Sequence, residues 1–585
     1  MKSLKHLNKY FYKYRYRLLT GILITILAKI FALFTPRLIG DSINVVSNKL
    51  NNRITTEVFK EQLTLNIIYL VGAAIVAGIL TFLMRQTIIN VSRYIEYDLK
   101  NEVYAHYQIL SLSFYKANRT GDLMSRISED VSKVREFAGP AIMYSINMIT
   151  LFVVALIYMV NKAPLLTLYT MLPLPILSIA IYKLSRLINV RSTIVQQSLS
   201  KLSTYAQETF SGISVIKSYG IETRTNVAFD TLSTENRQKQ IDLTKVQALF
   251  FPLMILLIGI SNLLVIYIGG MQYMDGTIEN IGTIAEFIIY VNMLTWPVAA
   301  VGWVTSLVQQ AEASQLRINE FLKQEPEIKN HNNSPSHIKG GITFKDVSFV
   351  YPDTNIQALK KVSFNLEAGK TLAILGKTGS GKSTILDLIG RLYDVNKGII
   401  KIDDQPIEDL NLYSLRESIG YVPQDAFLFS DTIKTNIKFG KEDATDNEVI
   451  QAAKNANVHN NIVGFKKGYD TVLGERGITL SGGQKQRISI ARAIIKSPQI
   501  LLFDDCLSAV DTETEEKILK NLLQLTKGKT TVIVSHRVSS AKNADFIIVL
   551  DDGKIVQNGT HESLIEQDGY YKELYTKQLS EKEIL

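Results

Sequence analysis

The chain has 585 residues, of which 46% are hydrophobic and 20% charged, with a formal net charge of +9 and one cysteine. This length exceeds what one compact core normally supports, so two or more domains are expected. A single cysteine excludes an intrachain disulfide framework and a cysteine-based zinc site. The positive charge is compatible with nucleic acid, but it equally fits basic loops on the cytoplasmic face of a membrane, which the order of segments favours.

Six long apolar segments occupy the N-terminal part of the chain, and each approaches the ~20 residues needed to cross a bilayer. They cover residues 18–43, 63–87, 138–160, 163–184, 246–270 and 281–307. The first segment is too long for the apolar region of a signal peptide and lacks a small-residue cleavage site. We therefore expect it to be an uncleaved anchor.

The basic residues predict how these segments are oriented. The first stretch of the chain is rich in lysine and arginine, which the positive-inside rule places in the cytoplasm. Six spans then put residues 85–137 and 183–245 on the same side, and both connections are also basic. Both keep helical periodicity, so the spanning helices are expected to continue as long cytoplasmic legs. The prediction is a multi-pass protein of the cytoplasmic membrane with its N-terminus inside.

The composition changes in the polar stretch 323–341, which is predicted to be a linker. From Ile342 onward, short β-rich runs alternate with helical patterns, which is typical of an α/β domain around a largely parallel sheet. The predicted fold is therefore an α-helical six-span transmembrane domain over residues 1–322, fused to an α/β P-loop domain over residues 342–585.

A phosphate-binding loop is predicted in "GKTGSGKS", which has the spacing G-x-x-x-x-G-K-[ST]. Its glycines allow backbone N–H groups to surround phosphate oxygens, and the following helix directs its positive end at them. Lys382 adds a charge for the β- and γ-phosphates, and the Ser383 hydroxyl can bind Mg²⁺. The candidate nucleotide-binding residues are Gly376, Lys377, Thr378, Gly379, Ser380, Gly381, Lys382, Ser383 and Thr384.

Two further strands end in residues suited to a nucleotide site. The run "LLFDD" ends in Asp504 and Asp505, and Asp504 is suited to hold Mg²⁺. The run "VIVSH" ends in His536, which can contact a γ-phosphate. A histidine after a strand is more often structural when taken alone, but its place after the two-aspartate strand favours a role in the site.

The segment "LSGGQKQR" at residues 480–487, together with these motifs, resembles the signature of ATP-binding cassette proteins. With six upstream spans, nearly the whole chain resembles an ABC exporter half-transporter. The resemblance implies that Tyr351 stacks on adenine and that Gln424 meets Mg²⁺ and senses the membrane domain. It also implies that the opposite subunit's γ-phosphate is bound by Ser481, Gly482, Gly483 and Gln484.

Other short elements resemble those of the same family. "GERG" at 474–477 resembles an element that touches coupling helices, and "SAVD" at 508–511 resembles a loop that connects two ATP sites. "FYKANRTGDLMSRISED" and "SGISVIKSYGIE" resemble the inner loops that carry coupling helices. One chain supplies one cassette, so the resemblance implies a dimer with a second half-transporter. It also implies ATP and Mg²⁺ as cofactors, export of amphipathic drugs, lipids or peptides, and no nucleic-acid partner.

The position of Asp505 departs from the family, which usually has glutamate there to orient or deprotonate the attacking water. Asp505 and His536 are the candidate catalytic residues. The shorter side chain withdraws the carboxylate by ~1.3 Å, and misplacement on that scale can cost ~10²-fold in rate. We therefore expect slow hydrolysis with ATP binding retained.

Two assemblies remain open. In one, the chain pairs with a different half-transporter that carries glutamate, and "NMLTWPVAAVGWV" in the sixth span resembles that group. In the other, two identical chains hydrolyse ATP slowly, which the presence of His536 permits. The sequence favours the heterodimer.

Polar residues in the predicted spans are candidates for a substrate cavity, although snorkelling or pairing between helices explains them as well. They are Lys29, Asn262, Glu286 and Asn292. Pro297 is expected to kink the sixth span. A non-transporting member, in which ATP gates a channel or regulates a partner, stays an alternative. The six spans disfavour a soluble ABC protein, and fusion to a cassette disfavours an importer.

Overall fold

The computed structural model describes residues 2–474, 480–506, 518, 521 and 527–584. Contacts divide the chain into two compact units. The first, here called the membrane unit, contains Met1–Tyr107 and Gly121–Lys323. The second, the cassette unit, contains Gln108–Thr120 and Gln324–Leu585. The short segment Gln108–Thr120 thus groups with the cassette although the residues on both sides of it belong to the membrane unit.

The part of the chain before the linker is helical, beginning with a 3₁₀ turn over Ser3–Leu7. The helices are α1 (Asn8–Lys13), α2 (Arg15–Leu50), α3 (Thr56–Ile109), α4 (Leu112–Ala117), α5 (Thr120–Ser125), α6 (Val131–Glu136), α7 (Ile142–Lys162), α8 (Pro164–Met171), α9 (Pro173–Ser211), α10 (Ile213–Tyr219), α11 (Glu222–Ala248), α12 (Phe250–Met274) and α13 (Gly282–Leu322). Short π-helical turns at Arg126–Asp130 and Phe137–Ala141 join α5, α6 and α7.

The six predicted spans are confirmed by the length and composition of the helices. Among the described residues, six helical stretches are apolar enough to cross a bilayer: Arg15–Leu50, Thr56–Ile109, Thr120–Lys162, Pro164–Ser211, Glu222–Met274 and Gly282–Leu322. The longest has 54 residues. At 1.5 Å per residue it is about 80 Å long, far more than the ~30 Å of a hydrocarbon core. The prediction of helices that extend well beyond the bilayer is therefore confirmed.

The first and last spans approach each other closely at two glycines. A Cβ atom placed on Gly282 would lie 2.0 Å from the backbone oxygen of Gly40. The backbone N–H of Gly282 donates to Oδ1 of Asn44 at 2.7 Å. Small residues allow such backbone contact between helices in a membrane. A larger side chain at either glycine would force α2 and α13 apart.

The cassette unit combines α4 with ten strands and nine further α-helices in its described part. The strands are β1 (Ile342–Val350), β2 (Gln357–Leu366), β3 (Thr371–Gly376), β4 (Lys397–Ile402), β5 (Gln405–Pro406), β6 (Ile419–Val422), β7 (Ile500–Asp504), β8 (Thr530–Val534), β9 (Phe546–Asp551) and β10 (Lys554–Gly559). The helices are α14 (Lys382–Ile389), α15 (Leu412–Glu417), α16 (Ile433–Lys438), α17 (Asp446–Asn455), α18 (His459–Val463), α19 (Gly482–Ile494), α20 (Val538–Ala541), α21 (His561–Glu566) and α22 (Tyr570–Ile584).

The strands form two sheets rather than the one sheet that the sequence indicated. A six-stranded sheet has the order β10-β9-β3-β8-β7-β6 and is parallel except for the β9–β10 hairpin. A separate antiparallel sheet has the order β2-β1-β4-β5. The burial of the strands explains the division. All five residues of β7 are buried, as in a parallel sheet covered on both faces, whereas β1 and β2 mix buried with exposed positions.

Helix α14 lies in the apolar core that joins the two sheets. This core includes Phe344 of β1, Ile374 of β3, and Ile385 and Leu388 of α14. A second cluster packs the helical part of the unit against β6 and β7. The helix that follows the phosphate loop is therefore fixed by packing on several sides.

Candidate functional site

The parallel sheet brings most of the predicted nucleotide residues to one edge. In the register of its central strands, Val422 of β6 pairs with Phe503 of β7, and Val534 of β8 pairs with both Asp504 and Ile374. The carboxyl ends of these strands therefore coincide, and ligands of such sheets bind outside those ends. The residues that end or follow these strands are the loop 376–384, Gln424, Asp504, Asp505 and His536.

The phosphate loop needs glycine at two of its positions. Gly376 has φ of 148° and Gly381 has φ of 97°. A Cβ atom on Gly376 would lie 2.2 Å from the oxygen of Leu550, and one on Gly381 would lie 2.4 Å from that of Ala358. Gly381 is also the N-cap of α14, where it offers no side chain to cap the first N–H groups. These donors therefore suit an anion.

Two side chains of the loop are arranged for a phosphate. The Nζ atom of Lys382 donates to the oxygens of Gly376 at 2.9 Å and Lys377 at 2.7 Å, which holds the ammonium against the loop. Burial lowers the pKa of Lys382, and the charges of Asp505 and Asp504 oppose that shift. The buried Oγ atom of Ser380 has no hydrogen-bond partner among the described residues. A phosphate oxygen would satisfy it.

A pair of oxygen ligands suitable for Mg²⁺ lies beside the loop. Ser383 Oγ donates to Asp504 Oδ1 at 2.8 Å, and Asp504 is 5% exposed. Burial raises the pKa of Asp504, which the hydrogen bond from Ser383 opposes. The described residues contain no cluster of three His, Cys, Asp or Glu side chains. The donor set nevertheless fits Mg²⁺, which typically takes one or two protein ligands and completes its shell with phosphates and water.

Gln424 lies beyond β6 with an exposed side chain. Its backbone oxygen accepts a hydrogen bond from Nε2 of Gln486 on α19 at 3.4 Å. The strand register places it at the same edge as the aspartates. A hydrogen bond therefore links its segment to the signature helix.

Asp505 is tied to the main chain of the neighbouring strand end. Its N–H donates to the oxygen of Val534 at 3.0 Å, and its carboxylate accepts a hydrogen bond from the backbone N–H of His536. Its φ is 41°, in the left-handed region that aspartate tolerates better than most residues. Burial raises its pKa, while the charges of His536 and Lys382 oppose the shift. The pKa of His536 is lowered by burial and by Lys382, with the two aspartates opposing.

Tyr351 connects the antiparallel sheet to the phosphate loop. It follows β1, and its hydroxyl is 3.0 Å from Oγ1 of Thr384. Its half-buried ring meets Tyr393 edge to face, with the ring centroids 5.5 Å apart. The aromatic residue is therefore attached directly to the helix that begins at Lys382.

The signature residues lie at the start of α19. Ser481 is the N-cap, and it forms a capping box with Gln484: Gln484 N donates to Ser481 Oγ at 3.3 Å, and Ser481 N donates to Gln484 Oε1 at 3.0 Å. Ser481 and Gly482 are exposed, and Gly483 is the second residue of the helix. Residues 475–477 of "GERG" and all of "SAVD" lie outside the described residues.

Sequence reasoning missed two residues close to this site. Asp387 lies three residues after Thr384 on α14, so both side chains share a helical face. Burial raises the pKa of Asp387 to about 6, and the charge of Lys116 opposes that shift. The spacing on α14 could have identified Asp387. Lys116 belongs to α4, within the segment that resembles a loop carrying a coupling helix, but no local pattern indicated its contact with Tyr351.

An apolar cavity of about 490 Å³ lies in the membrane unit between α7, α9 and α13. Its lining includes Met148, Phe152, Leu174 and Pro297. Lys29 and Glu286 are not among its lining residues. Three of the four polar span residues instead pair with protein groups. The Tyr290 hydroxyl lies 3.3 Å from Glu286 Oε1, and Nδ2 of Asn262 donates to Oδ1 of Asn292 at 3.4 Å.

Two family models match the chain, and they divide it between them. The ABC transporter transmembrane region covers residues 18–298, and the ABC transporter model covers residues 359–508. The multidrug resistance-like ATP-binding protein MdlA of Escherichia coli is 34% identical over 99% of this chain and 97% of its own length. The chain belongs to the ABC exporter family. YheI of Bacillus subtilis, named a probable multidrug resistance ABC transporter ATP-binding/permease protein, is 36% identical over 98% and 97% of the two chains.

A solved structure of a bacterial Atm1-family ABC exporter with ATP bound has a TM-score of 0.78 to this chain at 27% identity. The match covers 96% of this chain and 98% of the other. The predicted family, fold and function are thereby confirmed: this ABC exporter is a membrane protein whose cassette binds ATP and whose ATPase activity drives export. ABC exporter half-transporters generally act as dimers.

Proposed function

We propose that this ABC exporter moves hydrophobic or amphipathic molecules, such as drugs, lipids or peptides, outward across the cytoplasmic membrane. The observation that carries the proposal is the apolar cavity of about 490 Å³ in the membrane unit. Ligand pockets of ~300–1,000 Å³ with mainly apolar linings accommodate drug-sized molecules. Among the described residues of its lining, Ser178 is the one with a hydroxyl group, so the cavity favours apolar over charged ligands.

In the proposed cycle, two cassettes hold ATP between them, and their closure reorients the two membrane domains. Lys382 and the loop glycines bind the phosphates, Tyr351 stacks on adenine, and the signature of one chain covers the ATP of the other. Ser383, Asp504 and Gln424 would hold Mg²⁺, which neutralises phosphate charge. The basic N-terminus and inner connections support a cytoplasmic location for the N-terminus and the cassette.

Asp505 is proposed to orient the attacking water poorly, so that the site formed by this chain's own loop hydrolyses ATP slowly. Its carboxylate is held by the backbone N–H of His536, which draws it toward the end of β8. We propose a heterodimer in which a partner with glutamate at the equivalent position supplies the faster site. A homodimer with two slow sites is the second candidate, because His536 and the full signature are present in this chain.

Transport can be tested with the purified exporter in lipid vesicles. With ATP and Mg²⁺ on the cassette side, a fluorescent amphipathic dye should accumulate in the vesicles against its gradient. The variant Lys382→Ala, matched for reconstitution, should abolish accumulation. Dye that only equilibrates across the membrane, at a rate set by ATP binding, would instead support the alternative of an ATP-gated or regulatory membrane protein.

The assembly can be tested by native mass spectrometry of the exporter purified from its own host. The heterodimer predicts one copy of this chain with one different half-transporter. A complex of two copies of this chain, with no other half-transporter present, would support the homodimer.

A further inference from the structure

The segment Gln108–Thr120 is attached to the cassette unit at two places. At the first, Ser113 Oγ donates to Oε2 of Glu327 at 2.5 Å, and the N–H of Glu327 donates to Ser111 Oγ at 3.1 Å. Leu112 also packs against the core that contains α14. In the chain, this segment joins the second span to the third. A segment that connects two spans is therefore bonded to the cassette unit.

The second attachment is made by Lys116 at the end of α4. Its Nζ atom lies 4.9 Å from the ring centroid of Tyr351 and 5.1 Å from that of Tyr393. Burial lowers the pKa of Lys116, but the neighbouring Tyr393, Tyr351 and Asp387 oppose burial, and the pKa is raised overall. The lysine therefore remains charged over two aromatic rings, which is a favourable cation–π arrangement.

Asp387 completes the surroundings of the lysine. Lys116 opposes the rise of the Asp387 pKa, so the two charges interact, and Asp387 also influences the pKa of Tyr351. On the other side of Tyr351, the hydroxyl contacts Thr384 beside the phosphate loop. A continuous set of contacts thus runs from α4 through Lys116 and Tyr351 to α14.

We propose that Lys116 is a positioning residue that holds the Tyr351 ring in place for the adenine base and makes the stability of α4 depend on whether adenine is bound. The proposal rests on the proposed role of Tyr351 as the adenine-stacking residue. The Tyr351 ring is held by the ammonium of Lys116 over its face, by T-shaped contacts with Phe349 and Tyr393, and by Thr384 at its hydroxyl. A base stacked on this ring restrains it, and the ring restrains Lys116 and α4.

The test compares ATP with inorganic triphosphate, which has the phosphates but no base, in the full-length exporter. Lys116→Met keeps the apolar stem and removes the charge. It should raise the Kd for ATP roughly threefold to tenfold and leave the Kd for triphosphate unchanged. Lys116→Arg keeps a cation over the rings and should restore ATP affinity. Equal losses for both ligands, or no loss for ATP, would overturn the proposal.

A double variant distinguishes an effect of Lys116 on the Tyr351 ring from an effect on the charge of Asp387. Lys116→Met leaves Asp387 without its cation, and Asp387→Asn removes that penalty. If the lysine acts on the ring, the double variant should still bind ATP as weakly as Lys116→Met alone. Full recovery of ATP affinity in the double variant would show that Lys116 only neutralises Asp387, and the proposal would be wrong.

Hydrogen exchange tests the consequence for α4. In the wild-type exporter, ATP should slow amide exchange in residues 108–120 more than triphosphate does, and Lys116→Met should remove the difference. The same difference in both proteins would contradict the proposal. Tyr351→Ala is the control for the underlying function. If it leaves ATP affinity intact, the adenine role of Tyr351 fails. If it weakens ATP while Lys116→Met does not, only the role of Lys116 fails.

Discussion

Replacing Asp505 with glutamate tests whether the length of this side chain limits the ATPase rate. The carboxylate of Asp505 accepts a hydrogen bond from the backbone N–H of His536, and its own N–H is bonded to Val534. Both contacts hold it close to the carboxyl end of β8. One added methylene would extend the carboxylate by about 1.3 Å from the same backbone position.

The magnitude follows from two opposing effects. A displacement of about 1 Å can change a rate by ~10²-fold. The φ of 41° opposes the gain, because left-handed backbone costs about 1–2 kcal/mol for residues other than Gly, Asn and Asp. If part of that strain is relieved by a shift of the backbone at Asp505, the carboxylate is placed less accurately. We therefore expect Asp505→Glu to increase turnover by about 10- to 100-fold rather than by more.

The assay is steady-state ATPase activity of the purified chain in lipid nanodiscs at saturating ATP and Mg²⁺. Asp505→Asn is the matched control, since it keeps side-chain length and tolerance of the left-handed backbone but removes the charge. It should abolish the residual activity. If the Asp505→Glu chain binds ATP normally but hydrolyses it no faster than wild type, the length of the Asp505 side chain does not limit the ATPase rate and the prediction is wrong.

Three further predictions concern the metal, the helix contact and the buried carboxyl. Ser383→Ala removes the hydroxyl beside Asp504, so the Mg²⁺ concentration for half-maximal ATPase should rise, as a Mg²⁺ titration would show. Gly282→Ala should lower the unfolding temperature, because a Cβ atom there would lie 2.0 Å from a backbone oxygen. The expected cost is about 1–3 kcal/mol, and Gly270→Ala, with nothing within 4 Å, is the control. Burial raises the pKa of Asp387 to about 6, above its ordinary value of 3.8, so ionised Asp387 lowers the stability of the folded chain as the pH rises through that interval and above it. Asp387→Asn should therefore stabilise the chain in thermal unfolding at about pH 7.5, by up to ~3 kcal/mol, and have little effect near pH 4.

The parts of the fold that depend on local pattern could be predicted from the sequence. An apolar run of ~20 residues predicts a membrane-spanning helix by its length and composition alone. The glycine spacing of the phosphate loop is likewise recognisable, because close backbone contacts such as that of Gly376 with Leu550 require glycine. The division into two sheets could not be predicted, because pairing of β1 with β4 joins residues far apart in the chain. The sequence of β1 nevertheless contains Lys345 and Asp346, which are exposed in the structure and would not suit a strand buried on both faces.

In the candidate site, too, contacts between residues far apart in the chain could not be predicted. The residues at the ends of β3, β7 and β8 were predicted because each lies within a recognisable motif. The contact of Lys116 with Tyr351 depends on how α4 packs, and neither residue's immediate sequence indicates it. Asp505 could be predicted only in part. The sequence shows that its side chain is shorter than the usual glutamate, but only the structure shows the hydrogen bond from His536 that restrains it.

The contact between Gly40 and Gly282 restricts how the lipid-embedded helices can rearrange. At most helix interfaces, side chains change rotamer and absorb small displacements. Here main chain meets main chain, and a hydrogen bond from Gly282 to Asn44 fixes the depth of one helix against the other. Sliding or rolling would separate the two backbones at once. We therefore expect these ends of α2 and α13 to travel as one rigid pair whenever the exporter opens or closes.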